Sequence, residues 1–247
     1  MDRLIYTSVS ALRGAMARQA TTANNLANAN TVGFRAEMAN ARTVWLSGQG
    51  VGVRAQSSEE VVSADMGAGT IQATGRDLDI ALEKDALLAV QSAEGDEAYT
   101  RRGDLQLSDS GLLTTGDGFP VLGDQGPITL PPADKISISR DGAIWIVPQG
   151  GDAANPQQVE RLKLVSPAGS KVTKALDGLF RVEDGGALPS DPQARLTPGS
   201  LEGSNVNASA ALVDMIDASR AWETQIKLIT TARELDEASA SLMRLPD

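Results

Sequence analysis

The chain has 247 residues, enough to bury one large core or two small ones, and its formal net charge of −10, from 22 basic and 32 acidic residues, disfavours nucleic acid and anionic membrane faces as partners. It has no cysteine and no histidine, which excludes disulfides, thiol nucleophiles, Cys/His zinc sites and the commonest general base. The N-terminal apolar run Leu4-Ile5-Tyr6 is too short for a secretory h-region of roughly 7–15 residues, and no run approaches the roughly 18 apolar residues of a bilayer span, so neither a cleaved leader nor membrane insertion is expected.

Residues 3–29 read as a helix. Ile5, Val9, Leu12, Met16, Gln19, Ala23, Leu26 and Asn30 recur in alternating steps of 4 and 3, the 3.5-residue repeat of a coiled-coil seam. A helix of about 27 residues is about 40 Å long, and so narrow an apolar stripe requires a partner helix to be stable. The same region is basic: residues 1–56 hold Arg3, Arg13, Arg18, Arg35, Arg42 and Arg54 against Asp2 and Glu37, a formal +4, which leaves −14 for the remainder. A basic arm on an acidic chain favours docking against the same or a neighbouring chain.

Where that helix should end, the sequence reads Asn24-Asn25-Leu26-Ala27-Asn28-Ala29-Asn30-Thr31-Val32-Gly33-Phe34-Arg35. Asn30 and Gly33 suit a C-cap and turn. Asn24, Asn25 and Asn28 lie within the helical period, where asparagine weakens a helix, so they are expected to meet a partner and to set register with Asn30.

Residues 34–72 show no sustained period and read as an extended connector with short strands. Gly48-Gln49-Gly50-Val51-Gly52 and Gly67-Ala68-Gly69 complete neither a dinucleotide fingerprint nor a P-loop. From about 73 to 203 the signal is β. Ile136, Ile138, Ile144 and Ile146 alternate on either side of Asp141-Gly142, a two-residue hairpin signal, and Leu105 and Leu107 face Leu112 and Leu113 across Asp109-Ser110-Gly111. Further short strands are predicted at 78–82, 87–91, 128–130, 162–165 and 179–182. Short strands with frequent Gly, Asp and Pro turns describe an antiparallel barrel or sandwich.

The segment 204–247 reads as a second long helix. Gly203-Ser204-Asn205-Val206-Asn207 supplies capping side chains, and Leu212, Met215, Ser219, Trp222, Ile226, Ile229, Ala232, Leu235, Ala238, Leu242 and Leu245 follow in steps of 3 or 4. Gly and Pro agree: residues 204–247 hold no glycine and only Pro246, while ten of the eleven prolines fall between 120 and 198. The fold class predicted is therefore α+β: N- and C-terminal helices forming a coiled coil or bundle, with a central all-β domain. The predicted divisions are 1–33, 34–72, 73–203 and 204–247.

The best enzymatic constellation is Asp77 with Asp79, two carboxylates on one face of a strand and within reach of glycosidase chemistry; solvated acids on an edge strand are the plainer account. Neither a calcium loop of Asp-x-Asp-x-Asp-Gly form nor any cofactor motif is present. The expectation is a protein that is not an enzyme and takes no cofactor, metal or small-molecule substrate.

The stretch Asn24 to Asn28 followed by Thr31, Gly33, Phe34 and Arg35 resembles the N-terminal signature of the flagellar rod and hook family. Leu78-Asp79-Ile80-Ala81-Leu82, Tyr99-Thr100-Arg101, Gly126-Pro127-Ile128-Thr129, Arg161-Leu162-Lys163-Leu164-Val165 and Asp177-Gly178-Leu179-Phe180-Arg181 are similar to its middle domain, and Leu201-Glu202-Gly203-Ser204-Asn205-Val206 to its C-terminal signature. Lys84-Asp85-Ala86-Leu87-Leu88 departs from it, since relatives more often have a glycine-aromatic pair there. The resemblance implies a structural rod subunit of the basal body, proximal rather than distal or hook. It further implies export through the flagellar type III apparatus without a cleaved leader, and assembly in the periplasm with copies of itself and related rod proteins. The seam residues expected are Ile5, Val9, Leu12, Met16 and Leu26 against Leu212, Ile216, Trp222, Ile226 and Ile229. A carbohydrate-active β domain with helical arms is the alternative from a different class.

Overall fold

A computed structural model describes residues 2–45, 55–175 and 177–243, and the Gly48–Gly52 run and Leu245 lie outside them. Two compact units result: Met1–Ala27, Glu37–Val62 and Asn207–Asp247 form one, Asn28–Ala36 and Ser63–Val206 the other.

The helical unit contains α1 (Asp2–Ala27), the antiparallel strands β1 (Glu37–Trp45) and β2 (Ala55–Ala64), and α2 (Ala208–Met243). The strands of this ribbon are nine and ten residues long, longer than the short strands expected of a connector. α1 packs against both α2 and β1. Its covered positions are small: Ser10, Gly14, Ala15 and Thr21 are buried. Small side chains on one helix leave room for larger ones on its neighbour. On α2 the covered row is Ala211, Met215, Ala218, Trp222, Gln225, Ile229 and Ala232, again in steps of 3 or 4. α2 begins where Asn207 accepts a hydrogen bond from Ala210 N–H on its Oδ1 (3.1 Å), an N-cap as the sequence predicts.

The second unit is β-rich, and among the described residues no closed barrel forms. Its strands are β3 (Ile71–Ala73), β4 (Ile80–Leu82), β5 (Leu87–Gln91), β6 (Glu97–Thr100), β7 (Leu105–Leu107), β8 (Leu113–Thr115), β9 (Ala133–Ile138), β10 (Ala143–Pro148), β11 (Gln157–Arg161), β12 (Leu164–Val165), β13 (Val172–Lys174), β14 (Phe180–Val182), β15 (Leu196–Pro198) and β16 (Ser200–Glu202). They group into a five-stranded sheet of order β12-β5-β6-β14-β13, a three-stranded sheet β11-β10-β9, and the pairs β15-β4, β16-β3 and β7-β8. Strands of two to six residues are too short to carry the continuous stagger that closure demands.

The five-stranded sheet is instead covered on both faces. On β5, Leu88 and Val90 enter a core with Ile80, Leu105, Ile144 and Leu196, while Leu87 and Ala89 enter a second one with Tyr99, Val165, Phe180 and Leu188. The period of two thus splits an uninterrupted apolar run between two cores, as expected of a doubly covered strand.

Both predicted hairpins form. Ile144 pairs with Ile138 and Ile146 with Ile136, and Leu107 pairs with Leu113, although Leu105 lies opposite Thr115. The β9–β10 loop is longer than the two-residue turn expected: Ser139 N–H bonds Ala143 O and Gly142 N–H bonds Ser139 O. Only Gly142 has a positive φ, +84°, so a primed turn, which needs two such residues, is replaced by a turn with a glycine bulge.

Candidate functional site

The Asn-rich stretch divides between two tasks. Inside the helical unit, Asn25 grips the first residue of β1: its Nδ2 donates to Glu37 O at 2.9 Å and its Oδ1 accepts from Glu37 N–H at 2.8 Å. This amide mimics a paired strand, so the asparagine offsets its poor helix propensity by satisfying a backbone donor and acceptor. In the β-rich unit, Asn28 Oδ1 accepts from Thr31 Oγ1, and the backbone of residues 28–34 turns on Thr31 N–H to Asn28 O and Phe34 N–H to Thr31 O. Asn24 and Asn30 are exposed.

Beyond that turn the chain is held by a series of hydrogen bonds. Gly33 N–H donates to Glu202 O (2.7 Å), Phe34 O accepts from Asn205 N–H (3.3 Å), and Arg35 O accepts from Lys174 Nζ (3.2 Å). Ala36 N–H donates to Asn205 Oδ1 (2.7 Å) and Ala36 O accepts from Asp65 N–H (2.8 Å). Asn205 Nδ2 donates further to Asp65 O and Gly67 O. Lys174 Nζ also lies 3.6 Å from the centre of the Phe34 ring, a cation–π contact.

The clasp thus joins residues 33–36 to 202–205, and an ion cluster lies inside it. Arg35 Nη2 donates to Glu202 Oε1 at 2.7 Å, and Arg101 Nε donates to Glu202 Oε2 at 2.9 Å, with Arg101 Nη2 on the same oxygen. Gly69 N–H adds a fourth bond, to Oε1, at 2.8 Å. All three side chains are at most 1% exposed. Arg101 also donates to the carbonyls of Leu82, Lys84 and Ala86, and desolvation, opposed by the Glu202 charge, lowers its pKa from the ordinary arginine value.

The glycines here are set by space. At Gly33, φ is +67° and a Cβ would lie 2.5 Å from the Arg101 carbonyl; at Gly69 it would lie 2.1 Å from Gly203 O. Glu202, Arg101, Asn205 and Lys174 carry roles here that sequence reasoning did not assign. Three of them stand in stretches with the family resemblance, but nothing local announces a pairing across 167 residues.

The predicted seam residues fall into two sets. Val9, Leu12, Leu26, Trp222 and Ile229 are half-buried in the helical unit. Met16, Leu212, Ile216 and Ile226 are 53%, 50%, 54% and 41% exposed, and Val213, Leu228 and Leu235 are exposed as well. The side chain of Ile5 lies outside the described residues. A groove of about 480 Å³ in the same unit is lined by Arg18, Asn25, Glu37, Asp214 and Asp217 among others, three carboxylates to one guanidinium.

No arrangement suited to bond-breaking chemistry appears among the described residues. Asp77 is exposed, whereas Asp79 is buried and bonded to Arg76 Nε (2.8 Å) and Thr74 Oγ1 (2.6 Å), so the two do not form a carboxylate pair. No group of three potential metal ligands occurs among those residues either.

Comparison with known proteins identifies the lineage. Residues 5–35 match the model of the flagella basal body rod protein, residues 81–146 that of the flagellar hook protein FlgE/F/G D1 domain, and residues 197–242 that of the flagellar basal body rod FlgEFG protein C-terminal. The flagellar basal-body rod protein FlgF of Escherichia coli K12 is 43% identical over 94% of this chain and 94% of its own length. Its namesake in Salmonella typhimurium is 41% identical over 99% of this chain and 100% of its own length. The flagellar basal-body rod protein FlgG of Bacillus subtilis is 30% identical over the same shares. With both terminal signatures engaged in one clasp and likeness running the length of the molecule, the chain belongs to the family of flagellar basal-body rod proteins.

Proposed function

We propose that the chain is a structural subunit of the flagellar basal-body rod and not an enzyme. The observation that carries this is the full-length identity of 43% and 41% to rod proteins of two bacteria. The finer assignment is to the proximal rod, and it rests on the family resemblance of the opening Met1-Asp2 and Ile5-Tyr6 and of the Phe34-Arg35 that follows Gly33. As in the sequence division, residues 1–33 and 204–247 supply the helices, 34–72 the connector and 73–203 the β domain. Assembly with copies of itself and related rod proteins uses the helices as a coiled-coil seam. The exposed apolar row of α2 from Leu212 through Ile216 and Ile226 favours this reading, because an apolar row left in water gains by meeting a partner. The acidic groove of the same unit complements a basic arm such as residues 1–56 of a neighbour. Passage through the type III export apparatus and assembly in the periplasm complete the proposal.

The test is complementation of an E. coli strain lacking its own FlgF. The parent chain restores completed basal bodies and swimming, and Ile216→Asp, altered at an exposed site, folds normally but does not. Failure of the parent to restore rods, or full function of Ile216→Asp together with Leu212→Asp, would overturn the proposal or its seam, respectively.

A further inference from the structure

The ion cluster of the β-rich unit has an uneven design. Arg101 has carbonyl partners from residues 82, 84 and 86, all earlier in the chain than itself, and these remain whatever happens at Glu202. Arg35 depends on Glu202 alone: Nη2 bonds the carboxylate, while Nε and Nη1 are buried without a partner. Two guanidiniums share one carboxylate, so removing that carboxylate would leave two like charges side by side and out of water, a state penalised far more than the burial of a matched pair. The carboxylate is delivered by β16, the final strand of the unit, 167 residues after Arg35. Its backbone closes the same clasp: Glu202 O takes Gly33 N–H, and Gly203 N–H bonds Thr70 O.

We propose that Glu202 gates closure of the β-rich unit: residues 33–36 do not seat until β16 brings the carboxylate that pairs with both buried arginines. The consequence is an ordering rule. The N-terminal signature stays unseated until nearly the whole chain is available, and only a chain carrying both signatures completes its fold. The earlier strands, whose contacts are apolar, form without it.

The test uses the full-length chain in refolding from urea with pulsed hydrogen exchange, read at the amides of Gly33, Ala36, Gly69 and Gly203 and, as controls, Ala89 and Leu122. The clasp amides gain protection after the controls. In Glu202→Gln, which keeps the shape but loses the charge, they seat at least about tenfold more slowly while the controls are unchanged. In the double variant Arg35→Met/Glu202→Gln, which removes the second cation, most of that delay disappears, and Arg35→Met alone seats at the parent rate or faster. Simultaneous protection of clasp and control amides in the parent, or an unaltered Glu202→Gln, would overturn the gate. So would a double variant as slow as the single one, because the effect would then belong to shape rather than charge. If Glu202→Gln does not fold at all, folding of the double variant supports the gate and its failure overturns it.

Discussion

Backbone conformation decides several residues outright. Gly33 has φ +67° and faces the Arg101–Arg102 backbone at 2.5–2.6 Å, so Gly33→Ala must displace main chain rather than a flexible side-chain tip. A loss of at least ~2 kcal/mol in urea unfolding is expected. Lys84 is the opposite case: it has φ 51°, the only positive value at a non-glycine among the described residues. Lys84→Gly removes left-handed strain at some cost in unfolded-state entropy, and a gain of about 0.5 kcal/mol is expected in the same measurement. Tyr99 is fully buried; it donates to Glu97 Oε1 at 2.9 Å and accepts from Leu188 N–H. Burial, reinforced by the Glu97 carboxylate and opposed by the Leu188 bond, pushes its phenol up from 10.0 to about 12. A folded-state value above the unfolded one gives stability that is complete below pH 10 and disappears as pH rises from 10 through about 12. Chemical melts between pH 9 and 12 should show that decline in a Tyr6→Phe background and not in Tyr6→Phe/Tyr99→Phe.

For whole elements, the two helices show how a period can be right and its face displaced. The predicted stripe on α1 ran through Val9, Leu12, Met16 and Ala23, but burial centres on Ser10, Gly14, Ala15 and Thr21. Hydrophobic patterning weighs side-chain transfer energy, whereas a closely approached helix selects small residues regardless of their polarity, with Thr21 satisfied by bonding Ala17 O. Ala15, 3% exposed, and Met16, 53% exposed, therefore separate the two kinds of contact. Ala15→Leu should destabilise the isolated chain by about 1–3 kcal/mol through overpacking. Met16→Asp should leave its thermal unfolding within about 0.5 kcal/mol of the parent while lowering incorporation into basal bodies in the complementation assay. Equal effects of both on the isolated chain would remove Met16 from the proposed seam.

On the scale of the whole molecule, charge is the coarse organiser. A formal +4 in residues 1–56 and −14 in the rest leave each chain with complementary surfaces to offer a neighbour. If those surfaces steer association, its rate must fall with ionic strength, because at 1 M salt the screening length shrinks to about 3 Å. Light-scattering kinetics of purified chains should therefore slow at least about tenfold between 50 mM and 500 mM salt, while the stability of the β-rich unit, built on apolar cores and a buried ion cluster, changes little.

Much of this molecule was legible in the order of its residues. The positions of both helices, the Asn207 cap and the hairpins at Asp141-Gly142 and Asp109-Ser110-Gly111 all follow from local rules, because capping, periodicity and turn formation act over a few residues. The engagement of Asn25 with Glu37, the partition of β5 between two cores, the failure of short strands to close a barrel, and the meeting of Arg35, Arg101 and Glu202 were decided only in three dimensions. Each depends on which distant segments share a space: a carboxylate that looks like any other acid in an acidic chain becomes the counter-charge to two arginines only when the fold has excluded water around all three.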